Sequence, residues 1–110
     1  MAIQNNAKKI DEKHYEKGEK IELRISGSSV VEKVASAMVR FVKDGLIVSL
    51  SMIGANAVNQ AVKAVIKANS FSAPSGFTLS ISPFFDSEEV QGQEKSIIKM
   101  NITKNAIHSN

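Results

Sequence analysis

Met52-Ile53-Gly54-Ala55-Asn56-Ala57-Val58-Asn59-Gln60-Ala61-Val62-Lys63-Ala64-Val65 is the stretch on which the reading of the chain turns. An apolar strand runs up to Ile53, Gly54 breaks the pattern, and a helix begins within two or three residues. A glycine between strand and helix lets the backbone turn tightly and come close to another molecule. The polar first turn offers Asn56, Asn59 and Gln60. Free N–H groups of a first helical turn point outward, and the helix dipole favours negative charge there. Such a turn can hold a phosphate or another anion. The same strand–glycine–helix turn also serves as a plain connection.

Working outward, residues 46–53 read as the most apolar strand, placed centrally. Val48, Leu50 and Met52 share one face; Ile47, Ser49, Ser51 and Ile53 share the other. The helix after Gly54 takes Val58, Ala61, Val62, Val65 and Ile66 as its apolar stripe, with Lys63 and Lys67 on a more exposed side. Upstream, residues 21–26 alternate apolar and polar as a half-buried strand does. Gly27-Ser28-Ser29 is a turn, and the spacing of Ser29 and Glu32 predicts a capping box opening a helix. Val30, Val34, Ala37, Met38 and Phe41 form that helix's stripe, and Gly45 ends it. Downstream, residues 70–76 are expected to be a loop and residues 77–82 a third strand, whose end Pro83 demotes to an edge or a bulge. Phe84 and Phe85 are read as core, with a partner surface as the alternative. Residues 86–94 are an acidic connection, and residues 96–103 a fourth strand with Ile98, Met100 and Ile102 on one face. The order β-α-β-α-β-β, with one apolar face per strand, predicts an α+β fold of two layers. Both helices cover one face of a four-stranded mixed sheet, and the other face is open to water.

The chain has 110 residues, enough for one domain. Residues 1–18 are expected to be a flexible polar tail, residues 19–104 the domain, and residues 105–110 a second tail. With five Phe, one Tyr and no Trp, the core must be aliphatic. Cys is absent, which excludes disulfides and thiolate metal sites and fits a reducing compartment. Neither a secretory signal nor a membrane span is expected, so the localisation read from the sequence is cytoplasmic. Net charge is +3, a mild excess compatible with nucleic acid. Enzyme activity is not expected. Ser28 and Ser29 lack a His partner, because His14 and His108 fall in the tails. Asp86, Glu88, Glu89 and Glu94 read as an acidic surface loop, and no Gly-rich nucleotide motif occurs. No cofactor and no metal are expected.

The residues 54–65 and the Ala73-Pro74-Ser75-Gly76 motif downstream resemble the signature of the stage V sporulation protein S family. Leu23-Arg24-Ile25-Ser26, Val34-Ala35-Ser36-Ala37, Pro83 and Ile98-Lys99 fit as well. That family resembles a bacterial branch of the Alba-like nucleic-acid-binding proteins. The resemblance implies an Alba-like fold with the fourth strand between the second and third. It also implies a homodimer or higher oligomer and a regulatory role in sporulation. Carried over, the surfaces that would contact DNA or RNA are residues 26–29, 54–60 and 86–95, and the candidate residues are Ser28, Ser29, Gly54, Asn56, Asn59, Gln60, Lys63 and Lys67. Arg40 and Lys33 would add charge. This sequence departs from the Alba pattern in two places. Its first loop has Gly27, Ser28 and Ser29 where Alba proteins carry Lys. Its hairpin is acidic, opposed by Lys95 alone, and an acidic arm repels a phosphate backbone. Two functions follow as expectations: a nucleic-acid-binding regulator of low sequence specificity, or an assembly module working through protein contacts alone.

Overall fold

The structure is a computed structural model and describes residues 2–4 and 15–107. The elements are β1 (Ala2–Gln4), β2 (Lys20–Ile25), α1 (Val31–Lys43), β3 (Ile47–Met52), α2 (Ala55–Ser72), a 3-10 turn (Ala73–Ser75), β4 (Phe77–Val90) and β5 (Gln93–Ala106). The sheet order is β1-β2-β3-β5-β4. β2 and β3 run parallel, with Leu23 opposite Leu50, and every other pairing is antiparallel. The expected α+β fold is therefore present: two helices over a mixed sheet, with β5 between β3 and β4. The three residues of β1 add an edge strand next to β2, within the stretch read as a tail. Tyr15 packs edge-on to Phe41, and the Gly18 N–H donates to the Gly45 carbonyl at 2.9 Å, so residues 15–18 belong with the domain. His14 and His108 lie outside the described residues.

The core follows from alternation. Ile21, Leu23 and Ile25 of β2, Val48, Leu50 and Met52 of β3, and Met100 of β5 turn to the helices. Val34, Ala35, Met38 and Phe41 of α1 meet them. α1 ends as expected. The Leu46 N–H reaches the Phe41 carbonyl and the Gly45 N–H the Val42 carbonyl, both at 3.0 Å, which satisfies carbonyls that the helix leaves unpaired.

Five local expectations are corrected. The capping box does not form: α1 starts at Val31 with no side-chain cap, because the buried Ser29 hydroxyl accepts the Ser26 N–H at 2.9 Å instead. Val30 accordingly stays exposed. The buried face of α2 is Ala57, Ala61, Ala64, Val65 and Ala68, while Ile66 is 63% exposed and Val62 is exposed as well. Small side chains let α2 settle close to α1 and the sheet, so size rather than hydrophobicity selects its inner face. α2 also runs on to Ser72, and a 3-10 turn follows where a loop was expected. β4 does not end at residue 82 but runs on to Val90, through much of the stretch read as an acidic connection; Pro83 stands on an edge strand, as expected, where a missing N–H costs no ladder bond. Phe84 and Phe85 are not core: Phe85 is 81% exposed and Phe84 is exposed too. The register explains this. Phe85 stands opposite Ile98, which pairs with Met52, the last residue of β3, so the hairpin beyond this point has no third strand beside it.

Candidate nucleic-acid interface

β2 and β3 are parallel, so both end at the same edge of the sheet and both connections into helices emerge there. In open sheets with parallel strands, ligands gather at such carboxyl ends. Gly54 makes the second connection. It has φ +89° and ψ 159°, a region that side-chain-bearing residues rarely enter, and it sits at the N-terminal boundary of α2. No side chain caps α2, and none caps α1. Two helix starts with open backbone donors thus lie together.

They are held together by two contacts. The Gln60 amide donates to the Ser29 carbonyl at 2.8 Å. At Gly27, a Cβ would come within 2.9 Å of the Asn56 Cβ. The loop of residues 26–30 is stiffened by its serines. The Ser26 hydroxyl lies 3.1 Å from that of Ser28 and 3.3 Å from that of Ser29, and it accepts the Ser28 N–H at 3.3 Å.

The eight sequence candidates therefore separate into groups. Ser28, Gly54, Asn56 and Asn59 are exposed around the two helix starts, and Lys63 is exposed two turns further along α2. Ser29 is buried, and the Gln60 amide is engaged in fixing the loop, so both act in holding the surface rather than presenting it. Lys67 belongs elsewhere. It lies about 20 Å along the helix axis from Gly54, counting about 1.5 Å per residue, and its ammonium stands 5.9 Å from the Phe71 ring centroid.

The third expected surface, the hairpin, turns tightly at Gln91-Gly92. Both residues have positive φ, 53° and 78°, as a two-residue turn matched to strand twist requires. Its acids are not opposed by Lys95 alone. On the open face of the sheet, Arg24 of β2 reaches Glu88 at 2.6 Å. Lys99 of β5 bridges Glu22 of β2 at 3.1 Å and Asp86 of β4 at 3.2 Å. The hydrogen bond from the Ser87 N–H holds the Asp86 carboxyl below the usual aspartate value, with Lys99 adding to the effect. The hydrogen bond to Glu22 lifts the Lys99 ammonium above the usual lysine value, with Asp86 adding and partial burial opposing. Glu89 and Glu94, paired across the hairpin near its tip, remain exposed. These cross-strand ties were missed in the sequence because Arg24 and Glu88 are 64 residues apart.

Between the start of α2 and the hairpin runs a groove of about 650 Å³. It is lined by Met52, Gly54, Ala55, Val58, Asn59, Val62, Phe85, Ser96 and Ile98, with no charged side chain. A smaller hollow of about 300 Å³, formed by Pro83, Phe84, Phe85 and Ile98, continues it. Among the described residues there is no cluster of three or more acidic or histidine side chains able to hold a metal ion. None of the helices described is long and apolar enough to cross a membrane.

Residues 21–105 match the sequence profile of the family described as Stage V sporulation protein S (SpoVS). The match begins inside β2 and ends in β5, so it spans both helix starts and the entire hairpin. With most of its length inside that match, this chain belongs to the stage V sporulation protein S family.

Proposed function

We propose that this protein is a sporulation regulator that binds nucleic acid, DNA or RNA, as a dimer and with low sequence specificity. The observation that carries the reading is the pair of uncapped helix starts held side by side at the carboxyl ends of β2 and β3. Backbone N–H groups and two helix dipoles converge there, which suits phosphate oxygens and reads no base sequence. Ser28, Asn56 and Asn59 add neutral donors, and Lys63 adds charge. Family membership supports the sporulation role. The uncharged groove beside Phe85 supports the dimer: an 81%-exposed Phe on an apolar rim is best explained by a second copy covering it. The same groove favours a second reading, an assembly module that works through protein contacts without nucleic acid.

Fluorescence anisotropy with labelled duplex DNA, single-stranded DNA and RNA separates the two. With about 4 phosphate contacts per dimer the salt slope is about −3.6, so raising salt fourfold weakens binding roughly 150-fold. Lys63→Glu combined with Asn56→Asp weakens every probe. Folded protein that binds no probe at low salt refutes the nucleic-acid reading and leaves the assembly module.

A further inference from the structure

The helix layer has a second surface, at the opposite end from Gly54. A groove of about 400 Å³ lies between the C-terminal halves of α1 and α2, lined by Ser36, Val39, Arg40, Lys43 and Phe71. Phe71, in the last turn of α2, is 39% exposed, off the helix's largely alanine inner face. Three cations surround it. The Lys67 ammonium stands 5.9 Å from its ring centroid, and Arg40 and Lys43 form the facing wall on α1. The Arg40 guanidinium lies 4.9 Å from the ring centroid of the buried Phe41, which limits its motion. None of the three cations joins an ion pair among the described residues, and no acid lines the groove.

An aromatic ring set among unpaired cations fits a ligand that is flat and apolar on one part and anionic on the next. A nucleotide base and its phosphates have that form. A fully apolar ligand would leave the three cations unused, and a simple anion would leave the ring unused. Helix C-termini ordinarily disfavour anions. Here that term is reduced, because carbonyls of the last turn of α1 accept N–H groups from Asp44, Gly45 and Leu46. A duplex hides its base faces, so the ligand must be unpaired.

We propose that this groove binds single-stranded nucleic acid, with a base stacked on Phe71 and flanking phosphates held by Arg40, Lys43 and Lys67. The inference rests on the nucleic-acid reading above but uses different residues. It assigns the single strand to the helix layer and leaves the helix starts to contact backbone of either kind.

The test uses the full chain and short oligonucleotides, single-stranded and duplex, the single strand carrying 2-aminopurine. Phe71→Leu keeps an apolar side chain and removes the stacking face, so the fold, checked by far-UV circular dichroism, is retained. The expected result is a roughly tenfold loss of single-strand affinity, loss of 2-aminopurine quenching, and duplex affinity within twofold of the parent. Arg40→Gln with Lys43→Gln lowers the single-strand salt slope by about 1.4, at about 0.7 per phosphate. If Phe71→Leu changes neither affinity nor quenching while the parent protein binds, the groove is not the site and the proposed function stands. If Phe71→Leu acts as expected and the Asn56 and Lys63 substitutions do nothing, the groove stands and the helix starts lose their role. If the parent binds no oligonucleotide, both fall.

Discussion

Replacing Gly27 with alanine isolates the contact that joins the two helix starts. Gly27 does not have positive φ, so alanine meets no backbone strain there. What it meets is the Asn56 Cβ at 2.9 Å, closer than Cβ atoms approach in folded proteins. That atom is anchored directly on α2, so no side-chain rotation relieves the contact; the loop and the helix start must separate. Overpacking of this kind costs about 1–3 kcal/mol, and about 2 kcal/mol is the central expectation. Unfolding entropy of about 2.1 cal/mol/K per residue gives about 0.2 kcal/mol/K for some 100 residues, so Tm falls by about 10 °C. The separation also strains the Gln60–Ser29 hydrogen bond, and oligonucleotide affinity falls with it. Asn56→Gly alone costs about 0.5–1 kcal/mol through lost helix propensity. The double variant removes the clashing Cβ, so it is less destabilised than the sum of the two single changes by about 1.5–2 kcal/mol. Thermal and urea denaturation measure all four proteins. Additivity within about 0.5 kcal/mol refutes the close approach, and with it the claim that the two helix starts form one surface.

Asn69 binds both backbone groups of Leu79, donating to its carbonyl at 3.2 Å and accepting its N–H at 2.6 Å, and so covers part of the outer edge of β4. Asn69→Ala leaves both groups unpaired, costs about 1–3 kcal/mol and lowers Tm in a scan by about 5–15 °C. Phe85→Ser shifts the protein from dimer toward monomer in sedimentation velocity with little change in monomer stability, since the ring is exposed in the monomer; a parent protein that is monomeric at tens of micromolar contradicts the dimer. The ties across the open face set a pH window. Asp86 is held below the usual aspartate value, so its contribution is present above that value and is lost as pH falls through the lowered one. Lys99 is raised, so its contribution is complete below the usual lysine value and is lost as pH rises through the raised one. The protection factors of the hairpin-base amides, their exchange rates taken relative to the intrinsic rate at each pH, are therefore flat across the neutral range and fall only in acid below about pH 4 or in strong alkali; a step near pH 6–7 contradicts this assignment.

Much of the architecture was legible because one periodicity governs each element. Alternation in residues 21–26 and 46–53 gave β2 and β3 with their faces, and the breaks at Gly45 and Gly54 gave the ends of the helices that flank β3. Errors arose where hydrophobicity and packing part company. Val58, Val62 and Ile66 are more hydrophobic than Ala57, Ala61, Ala64 and Ala68, yet the alanines face inward, with Val65 among them, because small side chains permit the close approach of α2. The displaced Val58 and Val62 then line the apolar groove with Phe85. Phe85 misled for the same reason: it stands at the level where β3 ends, and nothing in a local window reports where a neighbouring strand stops, while Phe84, opposite Lys99, falls on the open face of the sheet. Around the candidate site, the strand–glycine–helix pattern located Gly54, Asn56 and Asn59 at the exposed start of α2. The burial of Ser29 and the engagement of Gln60 were not legible, since they are set by a contact across 31 residues of chain.

The distribution of charge gives these misses a common consequence. The helices carry Lys33, Arg40, Lys43, Lys63 and Lys67 against Glu32 alone, whereas the outer part of the hairpin, residues 86–95, carries Asp86, Glu88, Glu89 and Glu94 against Lys95. An overall charge of +3 therefore conceals a basic layer and an acidic arm. Asp86 and Glu88 are drawn onto the open face by Lys99 and Arg24, which leaves Glu89 and Glu94 as the repulsive charge at the hairpin tip. An arm with that tip does not follow a phosphate backbone, whereas the basic helix layer and the neutral helix starts meet no such penalty. Binding confined to the helix side needs no groove of a duplex to embrace. On the proposed reading, an unpaired strand, with a base on Phe71 and its backbone along the helix layer, therefore suits this distribution of charge better than a duplex does.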